Sequence, residues 1–162
     1  MAYVLTDHII SPLGDTSEEN YLQVKAGRSG LRAYAAGSFG VAEGFVASLM
    51  EADFDTLALR SAREALAQTG IDVPHSRVVF ILSSTKGAIE KLEQGEESLA
   101  ASAQRIASQL GISAKPIVVC NACISGLSAL ILGSRLIEAG RYDYAVVCGC
   151  DCPKRFVISG FQ

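Results

Sequence analysis

Apolar positions along the chain fall into short continuous runs and longer stretches at helical spacing. Val78 to Leu82 is an unbroken apolar run, the pattern of a strand covered on both faces. Pro116 to Val119 and Tyr144 to Gly149 read the same way. Between these runs the period lengthens. Asp55 to Thr69 carries Ala58, Ala62, Ala65, Leu66 and Thr69 at helical spacing, with Asp55 placed to cap the start and Gly70 to stop it. Ser98 to Leu110 sets Leu99, Ala103, Ile106 and Leu110 on one helical face before Gly111. Ser125 to Ala139 predicts a helix apolar on most sides, ended by Gly140.

The first third of the chain is less regular. Tyr3 to Ile10 is apolar and partly β-branched and predicts a strand that ends in the turn Ser11-Pro12-Leu13-Gly14. Ser17 to Ala26 predicts a short polar helix, stopped by Gly27-Arg28-Ser29-Gly30. Leu31 to Met50, rich in glycine and small residues, predicts strand and loop. Strands that alternate with helices imply parallel βαβ units. The expected architecture is therefore α/β: a mixed, mostly parallel five-stranded sheet covered by helices.

Composition narrows the class. Hydrophobic residues make up 49% of the 162 positions and charged residues 19%, ample for a buried core. The mean hydropathy of +0.30 is high for a complete soluble domain and points to strands buried on both faces or to a surface that expects a partner. The net charge of −3 is spread without a basic block, which gives nucleic-acid binding no support. The apolar runs are too short for a membrane span, and the start Met1-Ala2-Tyr3-Val4 lacks a basic region followed by a long apolar stretch. These features point to the cytoplasm.

Candidate chemistry concentrates in Val118-Val119-Cys120-Asn121-Ala122-Cys123-Ile124-Ser125-Gly126. A buried strand ends, turns tightly, and enters an apolar helix. A thiol there sits at a helix N-terminus, where unpaired N–H groups and the dipole favour the thiolate and could also help stabilise an oxyanion. Ser125 and Gly126 keep side chains small where a substrate would approach the backbone, and Ala129, Gly133 and Ser134 allow close packing of the helix in the centre of a fold. Cys123 is the candidate nucleophile. The other cysteines, Cys120, Cys148, Cys150 and Cys152, read as packing residues. Their C-x-C-x-C grouping is not the spacing of a zinc knuckle and no histidine is near, so a structural metal or a redox dithiol ranks well below. Lys86 lies in Ser83-Ser84-Thr85-Lys86-Gly87, which lacks the glycine pattern of a phosphate loop.

The run Asn121-Ala122-Cys123-Ile124-Ser125-Gly126, followed by Leu136-Ile137-Glu138-Ala139-Gly140-Arg141-Tyr142-Asp143, resembles the active-site region of β-ketoacyl synthases. Thiolases share a version of this segment. Ser11-Pro12-Leu13-Gly14, Lys25-Ala26-Gly27-Arg28-Ser29-Gly30-Leu31 and the Ser83–Gly87 loop resemble the elongating branch, which acts on carrier-protein substrates. The resemblance implies a thiolase-like layered fold, present here as its N-terminal half only, residues 1–162. It implies that Cys123 accepts an acyl chain from acyl carrier protein, and that a carbanion from decarboxylating malonyl-carrier protein then attacks the thioester. It implies a homodimer and neither metal nor organic cofactor.

The family completes its site with two histidines and a lysine that follow the part matched here. The histidines present, His8 in the expected first strand and His75 in a turn, lack the family's surroundings and take no catalytic role. The apolar end Phe156 to Gln162 falls where the family continues, so the chain alone is expected not to condense acyl groups. Two other readings stay open: a non-catalytic partner subunit of a condensing enzyme, and a thiolase acting on coenzyme A thioesters.

Overall fold

A computed structural model describes residues 1–92 and 99–161. In chain order the elements are α1 (Ser17–Lys25), β1 (Arg32–Tyr34), β2 (Phe45–Ala47), α2 (Phe54–Ala67), β3 (Val78–Ser83), α3 (Ile89–Leu92), α4 (Leu99–Gln109), β4 (Ile117–Val119), α5 (Ser125–Glu138), β5 (Tyr144–Gly149) and α6 (Arg155–Gly160). They divide between two compact units, one of residues 1–8 and 54–151, the other of residues 9–53 and the segment from Cys152 onward.

The larger unit is built on a parallel sheet of order β4-β3-β5. All six residues of β3 are buried, which explains its continuous apolar sequence. Along β3 the side chains alternate between faces. Val79 and Ile81 form a cluster with Ala129 of α5, joined by Val119 and Val147. The opposite face is covered by α2 and α4, through Leu57, Ala58, Ala103 and Ile106. The connection from β3 to β4 moves one way across the sheet, and that from β4 to β5 moves back past β3. With crossovers of one hand, the helices of the two connections must fall on opposite faces, as they do. Gly133 lets α5 approach the sheet: a β-carbon there would lie 3.3 Å from Ala145 Cβ and 3.4 Å from Val147 Cγ2.

Ion pairs on Asp143 and Asp55 brace this unit. Arg77, just before β3, donates from Nη2 to Asp143 Oδ1 (2.6 Å) and from Nε to Oδ2 (3.1 Å), and from Nη1 to the Gly140 carbonyl (3.0 Å). The guanidinium holds the Asp143 carboxyl below the usual range. Asp55 was expected to cap α2, but the helix begins one residue earlier, at Phe54. Its carboxylate instead binds across elements. Oδ2 accepts from Lys91 Nζ of α3 (3.1 Å), from Arg105 Nε of α4 (3.0 Å) and from Arg105 Nη2. Burial pushes the Asp55 pKa up, but the hydrogen bonds from Arg105 and Lys91 outweigh it and leave the carboxyl below its ordinary value.

The smaller unit opens with the expected turn, closed by reciprocal bonds between Ser11 and Gly14 (2.9 and 3.0 Å). The buried Asn20 organises it: Nδ2 donates to the carbonyls of Ile9, Gly14 and Thr16, and Oδ1 accepts from Ser11 Oγ. Thr16 caps α1 by accepting from Glu19 N–H (3.1 Å). Strands β1 and β2 form an antiparallel hairpin with Tyr34 stacked on Phe45.

The five-stranded sheet expected from the sequence is not what forms among the described residues. Five strands are present, but three make the parallel sheet and two pair with each other as the hairpin. Tyr3–Ile10 is not a strand: Tyr3, Val4 and Leu5 are exposed and no ladder holds the segment. An apolar, β-branched sequence suits a strand, but only a neighbour that pairs its backbone makes one. Helix α4 begins at Leu99, and the expected start at Ser98 lies outside the described residues.

Asp55→Ala should lower the unfolding free energy by about 1–3 kcal/mol, because two cations lose a shared, partly buried acceptor. The stabilising effect of Asp55 is present above its unfolded pKa near 3.8 and is lost as pH falls through its depressed folded value. Urea titrations of both proteins at neutral and acid pH check this. The gap between them should shrink in acid.

Candidate active site

The carboxyl edge of the parallel sheet gathers three connections: Ser84–Gly87 after β3, Cys120–Ile124 after β4, and Cys150–Asp151 after β5. The chain leaves β3 towards α4 on one face and leaves β4 towards α5 on the other. Adjacent strands whose connections diverge to opposite faces open a crevice at their carboxyl ends, the place where ligands bind in such sheets. Cys123 follows one of those two strands.

Its turn is held by Ser125. Asn121 N–H donates to Ser125 Oγ (2.8 Å), and that hydroxyl donates to the Ala122 carbonyl (2.7 Å). Asn121 Nδ2 reaches Ser128 Oγ (3.2 Å), and Ile124 N–H bonds to the Asn121 carbonyl (3.1 Å). Residues Ala122–Ile124 form one 3₁₀ turn before α5, and Ala122 takes φ 44°, unusual for a residue with a β-carbon. Ser125, expected to serve by being small, is buried and bonded as the tie of the turn. Cys123 is exposed, and no side chain caps the helix that follows it. Ser125 N–H bonds back to the Ala122 carbonyl, and the helix dipole places partial positive charge at this end of α5.

Helix α5 is not enclosed within this chain as its sequence suggested. Ser125, Ala129 and Gly133 are buried against the sheet, whereas Leu127 is 60% and Leu130 53% exposed. Together with the exposed Ile124 and Ile131 they make the apolar surface that the mean hydropathy anticipated.

The thiols separate by position. Cys148 is buried on the face of β5 that meets α2, with Sγ 3.7 Å from the Ala58 carbonyl, and burial pushes its pKa up to about 11. Cys150, just past the strand, lies on the same side, 3.8 Å from the Phe54 carbonyl. Cys152 is buried. These three are packed, as expected. Cys120 is not: it is exposed, with Sγ 4.0 Å from the Thr85 carbonyl, because β4 ends one residue earlier and releases it into the turn. Among the described residues no three His, Cys, Asp or Glu side chains gather as a metal site.

The histidines lie elsewhere. His8, outside any strand, has Nδ1 3.1 Å from Ser61 Oγ. His75 is exposed and pairs with Asp72 at 3.0 Å. Lys86 is exposed in its loop. No helix among the described residues is long and apolar enough to cross a membrane. One contributor escaped the sequence reading. Asp151 joins Ser84 and Thr85, and its only sequence signal is a carboxylate just beyond the carboxyl end of a strand.

Residues 47–162 match the family described as β-ketoacyl synthase, N-terminal domain, which takes in well over half of the chain. The chain belongs to the β-ketoacyl synthase family. No curated protein sequence matches this synthase domain. Among solved structures it is similar to the ishigamide ketosynthase/chain length factor, at 23% identity and a TM-score of 0.75, over 98% of this chain and 49% of that one. It is also similar to a β-ketoacyl synthase from Burkholderia phymatum STM815, at 16% identity and a TM-score of 0.67, over 86% of this chain and 44% of that one. At these identities the likeness establishes the thiolase-like fold of the synthase domain. The chain spans about half the length of either relative.

At pH 8, iodoacetamide should label Cys120 and Cys123 well before Cys148, as peptide mass spectrometry would show. A thiol whose pKa rises on folding favours the folded state while protonated. The wild type should therefore lose stability relative to Cys148→Ala as pH rises from 9.0 towards about 11, by on the order of 2 kcal/mol. Denaturant melts of both proteins across that range check the slope.

Proposed function

We propose that the chain supplies the nucleophile half of a 3-oxoacyl-[acyl-carrier-protein] synthase. The observation that carries this is the placement of Cys123: exposed, in the turn before an uncapped helix, at the edge where the sheet's connections diverge. The Cys123 thiolate attacks the thioester of an acyl carrier protein, forming acyl-Cys123 and releasing the carrier thiol. Malonyl-carrier protein then loses carbon dioxide, and the resulting carbanion attacks acyl-Cys123. The new carbon–carbon bond gives a 3-oxoacyl chain longer by two carbons, and the thiol is regenerated.

The groups that assist decarboxylation, two histidines and a lysine in this family, are assigned to a second lobe outside residues 1–162. The half-length coverage of the relatives supports that division, as does the exposed apolar face of α5. A cytoplasmic homodimer acting in fatty-acid or polyketide synthesis is the setting this reading implies.

Intact-protein mass spectrometry after incubation with an acyl-carrier thioester tests it. The expected result is one acyl mass added, mapped to Cys123 and absent in Cys123→Ala. An adduct spread over all exposed thiols, or none at all, would sink the assignment. No 3-oxoacyl product should form from the chain alone with acyl- and malonyl-carrier protein. Its appearance would overturn the placing of the acid–base groups in a second lobe.

A further inference from the structure

Asp151 lies just past the end of β5 and takes no part in the chemistry set out above. Its Oδ1 accepts from Ser84 Oγ (2.9 Å) and Thr85 N–H (3.3 Å), with Thr85 Oγ1 at the longer distance of 3.5 Å. Ser84 is fully buried, and its hydroxyl also accepts from Gly87 N–H (2.9 Å), so this one side chain closes the Ser84–Gly87 turn. The turn then meets the approach to the cysteine at two points. Ser84 N–H donates to the carbonyl of Val119, the last residue of β4 (3.3 Å), and the Thr85 carbonyl receives the Cys120 thiol (4.0 Å). Cys150 N–H bonds to the Ser83 carbonyl (3.1 Å), which keeps Asp151 in register with the turn it holds.

The carboxylate thus ties the end of β5 to the turn after β3, and that turn is itself bonded to the end of β4, on the edge that carries Cys123. We propose that Asp151 is a positioning residue of the acyl-transfer site. It fixes the Ser84–Gly87 turn as a wall beside the Cys120–Ile124 turn, and so sets where Cys123 presents its sulfur. The consequence for acyl transfer rests on the reading of Cys123 as the acyl acceptor; the bonded network does not.

What the network asks of position 151 is an acceptor. Asn keeps an oxygen for the same donors, and the exposure of Asp151 leaves room for the amide N–H₂. Ala keeps nothing.

The test compares wild type, Asp151→Asn and Asp151→Ala in two measurements per folded molecule, with thermal melts and circular dichroism to count the folded fraction. The first is the rate of iodoacetamide labelling at Cys120, read by peptide mass spectrometry. The second is the rate of acyl transfer from an acyl-carrier thioester to Cys123. In Asp151→Ala, Cys120 labelling should rise severalfold as its tie to Thr85 loosens, and acylation of Cys123 should fall about tenfold, the scale of a small misplacement of a reacting group. Asp151→Asn should stay within about twofold of wild type in both, since the acceptor is retained. The proposal is overturned if Asp151→Ala loses only stability and keeps both rates, or if Asp151→Asn behaves like Asp151→Ala. Should wild-type Cys123 take no acyl group, the proposed function fails on its own, and the positioning claim fails with it only if Cys120 labelling is also the same in all three proteins.

Discussion

Strand β3 has to be covered on both faces and paired along both edges, because every one of its residues is buried. An unpaired backbone group there would cost as much as a lost hydrogen bond, with no water to replace it. That requirement brings β4 and β5 to its two sides and α5, α2 and α4 to its two faces. The carboxyl edge of the sheet is then set by where β3 stops, at Ser83. The turns on that edge, including the one that holds Cys123, inherit their positions from it.

Much of this was legible in the sequence. The continuous apolar runs marked β3, β4 and β5, and the helical periods marked α2, α4 and α5, because each of these elements meets its burial within one stretch of chain. The strand–turn–helix at Cys123 was legible for the same reason. What failed depended on remote partners. Tyr3–Ile10 has the composition of a strand but finds no ladder, and β1 and β2 satisfy each other as a hairpin instead of extending the parallel sheet. Asp55 had the chemistry of a cap, yet Lys91 and Arg105, far along the chain, claimed its carboxylate. Cys120 looked like a core residue because it followed an apolar strand. The strand ends at Val119, as expected, and Cys120 lies exposed in the turn that follows it.

The site divides in the same way. Cys123 could be named from its neighbours in sequence. The side chains that hold its surroundings could not, since Ser84 and Asp151 are 67 residues apart and meet only because two parallel strands end level. Ser125 was noticed for its size, whereas its contribution is a hydroxyl that accepts from one residue of the turn and donates to another. Hydrogen-bonding roles of this kind are decided by distance and direction, and a sequence records neither.

Gly133 also has a mechanical consequence. From Ser125 to Gly133 the helix runs about 12 Å as one stiff rod, with the cysteine turn attached to its front end. Ala145 and Val147 lie directly beneath position 133. A β-carbon there would press on both, and either they or the rod would have to give by a few tenths of an ångström. Where the rod gives, the displacement would carry to the turn of Cys123, ten residues away, and the spacing between a helix and a sheet would become the aim of a sulfur atom.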